Sequence, residues 1–481
     1  MHKTKNKGAT ISRLRHANQL AFTVFAMTPL WALASGYQFG SQTVSGQGNA
    51  DAGGAEANDA STVYYNPAGM ARLKAIELDF GNTAALPHST YQDEGSTTFL
   101  GTGTGGTATH GYVPGSVVAP SLYLVVPYGD RLSFGFGMFV PYGSKLNYGD
   151  TWTGRYSVTN VSLESLQLNP SFSYRFDDRH SFGFGISAQY MHARLGQAAD
   201  TPDSVLALNG TPQGAQLIEQ IVAGGGSPAA LAKINDAHAE DTAKDWGYGF
   251  NFGYMYQLDD ATRFGLAYRS SVSHKLKGDT AWNFSGVSGD PTVDAALGAA
   301  SHRANSSAEI DIKTPETVSA SAFRQFDDKW SGMLDVTWSR TSRLDKLDIQ
   351  FPGTTEGDEV IRQDWRNTYR VSLGADYRYG DALLFRGGIA FDQSPVRGAQ
   401  LTHPSFPDSD RWWYSLGLNY RFDERASIDA AYSFVKFKNV TADYTNSCNP
   451  LNSSCTGNGE TTFGQYKTDI QFVGISYNYR F

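Results

Sequence analysis

Most of this chain alternates between apolar and polar residues, one by one, in runs that close on a recurring phrase. Leu166, Leu168, Pro170, Phe172, Tyr174 and Phe176 share one parity, and Ser165, Gln167, Asn169, Ser171, Ser173 and Arg175 share the other. Trp412, Tyr414, Leu416, Leu418 and Tyr420 oppose Trp413, Ser415, Gly417, Asn419 and Arg421 in the same way. A period of two is that of a β-strand with unlike faces. The closing phrase is two aromatics around a polar residue, then an Asp-rich turn, as in Tyr174-Arg175-Phe176-Asp177, Tyr420-Arg421-Phe422-Asp423 and, without the turn, the terminal Tyr479-Arg480-Phe481.

Fourteen such segments can be delimited, at 75–92, 115–128, 131–148, 159–177, 180–196, 244–258, 261–284, 306–327, 330–350, 361–379, 382–396, 410–423, 426–441 and 461–481. Short turns join them at one end and long loops at the other. A soluble sandwich has no reason to set aromatics repeatedly at strand ends, whereas a membrane barrel places them at both interfaces. The pattern predicts an all-β fold, a 14-stranded antiparallel transmembrane β-barrel over 74–481, apolar toward lipid and polar toward the lumen. Several segments exceed the roughly nine to eleven residues that cross hydrocarbon, so the strands project beyond the outer surface.

Composition narrows the reading further. No apolar run of about eighteen residues exists, and mean hydropathy is -0.37, which excludes a helical membrane protein. Residues 1–34 read as a signal peptide: Lys3, Lys5, Lys7, Arg13 and Arg15 precede an apolar stretch that ends in Ala32-Leu33-Ala34. Its removal takes five cations and moves the net charge from -8 to -13, a balance that argues against a nucleic-acid partner. Cys448 and Cys455 lie together in an Asn/Ser-rich loop of an exported chain and read as a loop-pinning disulfide. A metal site would need more Cys or His beside them, and none is there. Gly101-Thr102-Gly103-Thr104-Gly105-Gly106 fits a GxGxxG string, but no helix follows to receive a phosphate, and no cofactor is expected.

Residues 35–73 do not alternate. Gly46, Gly48, Ala50, Ala52, Gly53, Gly54 and Ala55 suit close packing, and the stretch fits a plug inside the lumen, an external arm or a disordered tail. Ser45-Gly46-Gln47-Gly48-Asn49-Ala50, Asp59-Ala60-Ser61-Thr62 and Asn66-Pro67-Ala68 resemble the N-terminal hatch of the FadL/TodX family of outer-membrane transporters of long-chain fatty acids and other hydrophobic compounds. Tyr142-Gly143, the stretch 389–396 and Asp410-Arg411-Trp412-Trp413 resemble further landmarks of that family, in order. The likeness spans essentially the whole chain after residue 34 and is weakest in the long loops. It implies that 35–73 is a hatch plugging the barrel, marked by Asn66, Pro67 and Ala68. At its start, Gly36, Tyr37 and Phe39 would fill an apolar pocket until substrate displaces them.

The resemblance also implies a function: passive uptake of long-chain fatty acids or related hydrophobic molecules, without catalysis, through an extracellular groove, a lumenal pocket and a lateral opening where the third strand kinks inward. Pro141, Tyr142 and Gly143 occupy the matching position, although the residues alone also fit an ordinary strand end. A carboxylate head group calls for a cation. Arg366 and Arg370, opposite Trp365, Tyr369 and Val371 on the lipid parity, are the first candidates, and Arg194 and Arg411 the next. Arg269 and Arg386 share the inward parity, and Arg175, Arg378, Arg421 and Arg480 sit at turns, suited to holding the rim or the hatch. Lumenal arginines fit structural pairing with Asp335, Asp376 or Asp392 equally well. The loop 200–243 holds helix-like stretches at 214–222 and 227–240. Leu217, Ile218, Ile221, Leu231 and Ile234, with Trp282 and Phe284 across from them, fit either a shallow groove where substrate lands or a loop folded onto itself.

Competing readings are an uptake channel for aromatic hydrocarbons, a general porin, and a lipid hydrolase recruiting His192 or His274, for which no nucleophile motif is present. The expected setting is the bacterial outer membrane, as a monomer among lipid and lipopolysaccharide. Tyr477, Tyr479 and Phe481 resemble the strand recognised by the outer-membrane assembly machinery. Deleting Phe481 should therefore lower the amount of inserted protein far more than the substrate affinity of the protein that does insert. Quantifying outer-membrane levels against binding by the purified variant checks this, and normal surface levels would refute it.

Overall fold

The computed structural model describes residues 38–107, 116–354, 357–446 and 458–481. The signal segment, Gly36, Tyr37, Cys448 and Cys455 lie outside them. Fourteen antiparallel strands form one closed ring: β1 Glu77–Asp93, β2 Val117–Tyr128, β3 Leu132–Phe139 with Gly143–Asn147, β4 Asn160–Arg175, β5 His180–Ala199, β6 Ala237–Gln257 and β7 Thr262–Arg269 with Ser273–Asn283. They continue as β8 Ser306–Lys313 with Thr317–Gln325, β9 Trp330–Ser339 with Lys346–Gln350, β10 Glu359–Arg362 with Thr368–Tyr379, β11 Leu383–Asp392, β12 Arg411–Arg421, β13 Ala426–Phe437 with Val440–Thr445 and β14 Thr461–Arg480. The ring closes where β1 pairs β14, from Glu77 opposite Arg480 to Asp93 opposite Gly464.

The faces follow the period of two. Leu416 and Ile475 are 67% and 59% exposed on the outside, while Ser173 and Asn169 are 0% exposed inside. That inversion of a soluble protein's pattern is what a lipid solvent selects. The Asp-rich turns are built by carboxylates that accept backbone amides. Asp177 Oδ1 accepts Arg179 N at 2.8 Å and His180 N at 2.7 Å, and Asp327 and Asp423 do the same for Lys329 with Trp330 and for Arg425 with Ala426. These donors hold the three carboxyls below the usual carboxylate range.

Residues 38–73 lie across the lumen as short helical turns, α1 Val44–Gly48 and α2 Thr62–Tyr65, with 3-10 turns at Gly53–Ala55 and Pro67–Arg72. Asn66 shapes the last of these, its Oδ1 accepting Ala68 N at 3.1 Å while its Nδ2 donates to the wall carbonyl of Tyr254 at 3.0 Å. The wall yields at two glycines. A Cβ on Gly183 would come within 2.3 Å of the Pro67 carbonyl carbon, and one on Gly388 within 2.3 Å of that of Asn49.

Two local expectations fail. The stretch 227–240 is helical only as a 3-10 turn at Pro228–Ala232, and β6 already begins at Ala237, because Ala237 to Thr242 pair with the overlong upper end of β5. Ladder pairing there overrides helical spacing. Trp365 does not face lipid. It sits in the interruption of β10, where strand parity is lost, and is 2% exposed inside the upper lumen.

Replacing Gly183 with Val should leave the barrel intact, since a β-branched residue suits a strand, while pushing the Asn66 turn off the wall. Hydrogen exchange of 66–72 is expected to quicken by about tenfold or more; unchanged protection would show that the turn does not depend on this contact.

Candidate functional site

The site begins with a fault in the wall. The lower half of β3 pairs β2 as far as Met138 opposite Leu122, and β4 as far as Phe139 opposite Gln167. Above the fault, Gly143 to Asn147 pair β4 alone, starting opposite Glu164, so three residues of β3 face two of β4. Val117 to Ser121 of β2 pair β1 but, among the described residues, nothing in β3. Pro141 has no amide to donate. The Ser165 hydroxyl repairs the bulge, accepting Tyr142 N at 2.9 Å and donating to Tyr142 O at 2.7 Å.

The start of the plug stops this fault from inside. Gln38 bridges to Tyr142, and Phe39 N donates to Pro141 O at 2.9 Å. The Phe39 ring is 2% exposed, edge-on to Phe472 at 5.8 Å, in an apolar cluster with Val117, Ala119, Val140, Trp413 and Val435.

Beside Phe39 lies a cavity lined chiefly by polar residues, Asp51, Tyr64, Arg269, Asp335 and Arg370 among them. Arg370 donates to Asp51 at 2.9 Å and lies over the Trp413 ring at 4.6 Å. Arg269 donates to Tyr64 O at 3.0 Å and lies 4.9 Å from the Tyr64 ring centre and 5.4 Å from that of Phe139. Its Nη1 has no hydrogen-bond partner, and it forms no ion pair among the described residues. A second cavity lies toward the long loops and is almost wholly apolar, lined by Val161, Leu163, Leu195, Ile310, Ile312, Leu347, Ile361 and Phe406. Tyr142 at the fault belongs to the same apolar cluster.

The four candidate arginines do not converge. Arg370 alone reaches the polar cavity. Arg366 falls in the β10 interruption and donates to Ser394 O at 3.0 Å. Arg411 is 0% exposed between Asp392 at 3.0 Å and Asp408 at 2.5 Å. Arg194 points outward to Glu240 at 3.6 Å. The loops meant to frame a groove pack against each other: Leu217 and Ile221 are buried with Val287, Val293 and Leu297, Leu231, Ile234, Trp282 and Phe284 pack at the edge, and Ile218 stays exposed. At the other end, Phe481 N donates to Ile76 O at 3.0 Å and its ring lies edge-on to Tyr479, which stacks on Tyr477.

Arg269, an inward-parity arginine outside the four head-group candidates, reaches the cavity, and strand register gives a signal for it. Its cross-strand neighbours are the neutral Asn251 and Thr317, whereas Arg386 faces Asp376 and Arg411 faces Asp392. Arg386 is indeed paired, to Asp429 and to Asp376 at 3.9 Å. Arg269 thus has no carboxylate across from it, while Arg370 faces Asp392.

A roof closes the outer end. Arg155 pairs Asp236 at 2.6 Å, Tyr156 donates to Asp236 at 3.0 Å, and Ser157 donates to Glu460 at 3.0 Å. Burial pushes the Glu460 carboxyl up to about 8. The folded roof thus keeps a proton that the unfolded chain sheds near the ordinary value of 4.5, so its stability falls as pH rises between these values. Protection of 152–160 against hydrogen exchange, corrected for intrinsic rates, should decline across that window and become flat in Glu460→Gln.

Comparison with known proteins places this geometry. The chain matches the family described as outer membrane protein transport protein (OMPP1/FadL/TodX) over residues 25–481. It is 34% identical to an outer membrane protein of Neisseria meningitidis serogroup B, across 98% of this chain and 100% of that one. It is 29% identical to the long-chain fatty acid transport protein of Escherichia coli O157:H7, across 86% and 91%. The crystal structure of a Pseudomonas aeruginosa FadL homologue superposes with a TM-score of 0.78 at 26% identity, covering 93% of this chain and 100% of that one.

Proposed function

The chain belongs to the OMPP1/FadL/TodX family of outer-membrane transport proteins, and on that premise we propose that it admits long-chain fatty acids by passive diffusion and releases them sideways into the bilayer. The tail is received by the apolar chamber of Leu163, Ile310, Ile312 and Phe406, which suits a chain that gains roughly 0.8 kcal/mol for each methylene buried. The carboxylate is received in the polar cavity by Arg269, with Arg370 adjacent. An aromatic hydrocarbon offers these cations a ring face, which Trp413, Tyr64 and Phe139 already supply, but no carboxylate oxygen, and this favours the fatty acid. Residues 1–34 serve export, 35–73 form the hatch and 74–481 the wall.

The observation that carries this reading is the edge of Val117 to Ser121, unpaired with β3 among the described residues and stopped from inside by Gln38 and Phe39 of the plug. A general porin has no use for it. A ligand leaving toward the periplasm would expose its tail to water, whereas the wall opening delivers it to hydrocarbon directly, avoiding that cost of roughly 0.8 kcal/mol per methylene. Replacing Pro141 and Gly143 together with Val should extend β-pairing across the fault. Oleate is expected still to bind the purified variant while uptake by cells falls sharply. Unchanged uptake with a straightened strand would eliminate lateral release.

A further inference from the structure

The plug brings a carboxylate of its own to an arginine of the cavity. Asp51 Oδ2 accepts Arg370 Nη2 at 2.9 Å, and Tyr65 donates to Asp51 Oδ1 at 2.6 Å. The same guanidinium donates to the carbonyls of Ala50 at 3.3 Å and Gly40 at 3.4 Å, on either side of the plug's first turns. The side chains of Arg370 and Asp51 are 18% and 13% exposed, and both line the cavity, so the pair is within reach of whatever occupies it. The turn is unusual in its backbone. Ala50 and Asp51 have φ of 56° and 61°, a region that L residues other than glycine seldom enter, and here two do so in succession. Such a conformation persists only where its surroundings over-determine it; Arg370 and Tyr65 are part of those surroundings, beside the bonds from Ala50 N to Gln47 O at 3.2 Å and from Asp51 N to Gly46 O at 2.7 Å.

We propose, resting on the fatty-acid reading above, that Asp51 is a tethered stand-in for the substrate's carboxylate, and that an arriving carboxylate loosens the plug by taking Arg370 from it. The exchange conserves charge, one carboxylate replacing another on Nη2, and it needs no proton or further reactant. Asp51 is left to the water of the cavity. The turn at Ala50 then loses one of the contacts that hold two positive φ angles, and Gly40 loses a donor beside Phe39, the residue that covers the wall fault. The device reads chemistry rather than size. A neutral molecule with the same tail fills the apolar space but has nothing with which to displace Asp51.

The test uses the full-length protein in lipid nanodiscs with two probes, oleate and oleyl alcohol, reading affinity and the hydrogen exchange of 46–53. Both probes are expected to bind, and only oleate should speed exchange, by about tenfold, as loss of one charge-assisted contact would. In Asp51→Asn the segment should exchange fast without any probe, and oleate should bind about fivefold more tightly because its competitor is neutral. Oleyl alcohol should bind the variant as before. An equal exchange response to the two probes in the unaltered protein overturns the latch and leaves the transport reading standing. Binding of neither probe overturns both. The probe comparison in the unaltered protein decides the question even where Asp51→Asn does not assemble.

Discussion

Hydrocarbon offers a peptide group no partner, so every amide and carbonyl in this wall must be answered from within the protein. The closed ladder does this, and all else follows from where it is allowed to lapse. At Pro141 it lapses in a controlled way. The proline withholds a donor, the Ser165 hydroxyl serves both polar groups of Tyr142, and Phe39 N takes the Pro141 carbonyl. The fault thus has three of its backbone groups answered, two by a side chain and one by the plug that covers it.

The plug poses the converse problem. It is too irregular to satisfy its own carbonyls, and it is buried. The wall supplies donors as arginines: Arg263 to Ala55 and Glu56, Arg175 to Ala71, Arg269 to Tyr64, and Arg370 to Gly40 and Ala50. These cations are the reason a polar lumen and a packed plug coexist. Burying these charges is offset by the acceptors they reach. Arg269 reaches one carbonyl and keeps an unpartnered Nη1.

How much of this was legible in the sequence depended on range. Period-two alternation is a local property, and the strand predicted at 461–481 is observed at Thr461–Arg480, that at 180–196 at His180–Ala199. Parity failed where a strand is interrupted, since an interruption resets the faces; Trp365 was assigned to lipid for that reason. The pairing of Arg411 with Asp408 and Asp392, or of Arg370 with Asp51, depends on register between strands and on the path of the plug, neither of which one strand's pattern contains. The Pro141 position was visible only through family likeness, because a proline near a strand end has an ordinary explanation as well.

One feature of the plug's attachment bears on how such a protein can change over time. The wall arginines grip carbonyl oxygens, and a carbonyl is the same whichever side chain follows it. At those points the plug answers for bulk, as where it is pressed against wall glycines such as Gly183 and Gly388. Other positions, Gln47, Asn49, Asp51, Asn66 and Arg72 among them, are held by their side chains as well. The arginine-studded wall is in this respect a socket that recognises the course of a chain rather than its spelling, and related plugs grafted into it would be judged first by their shape.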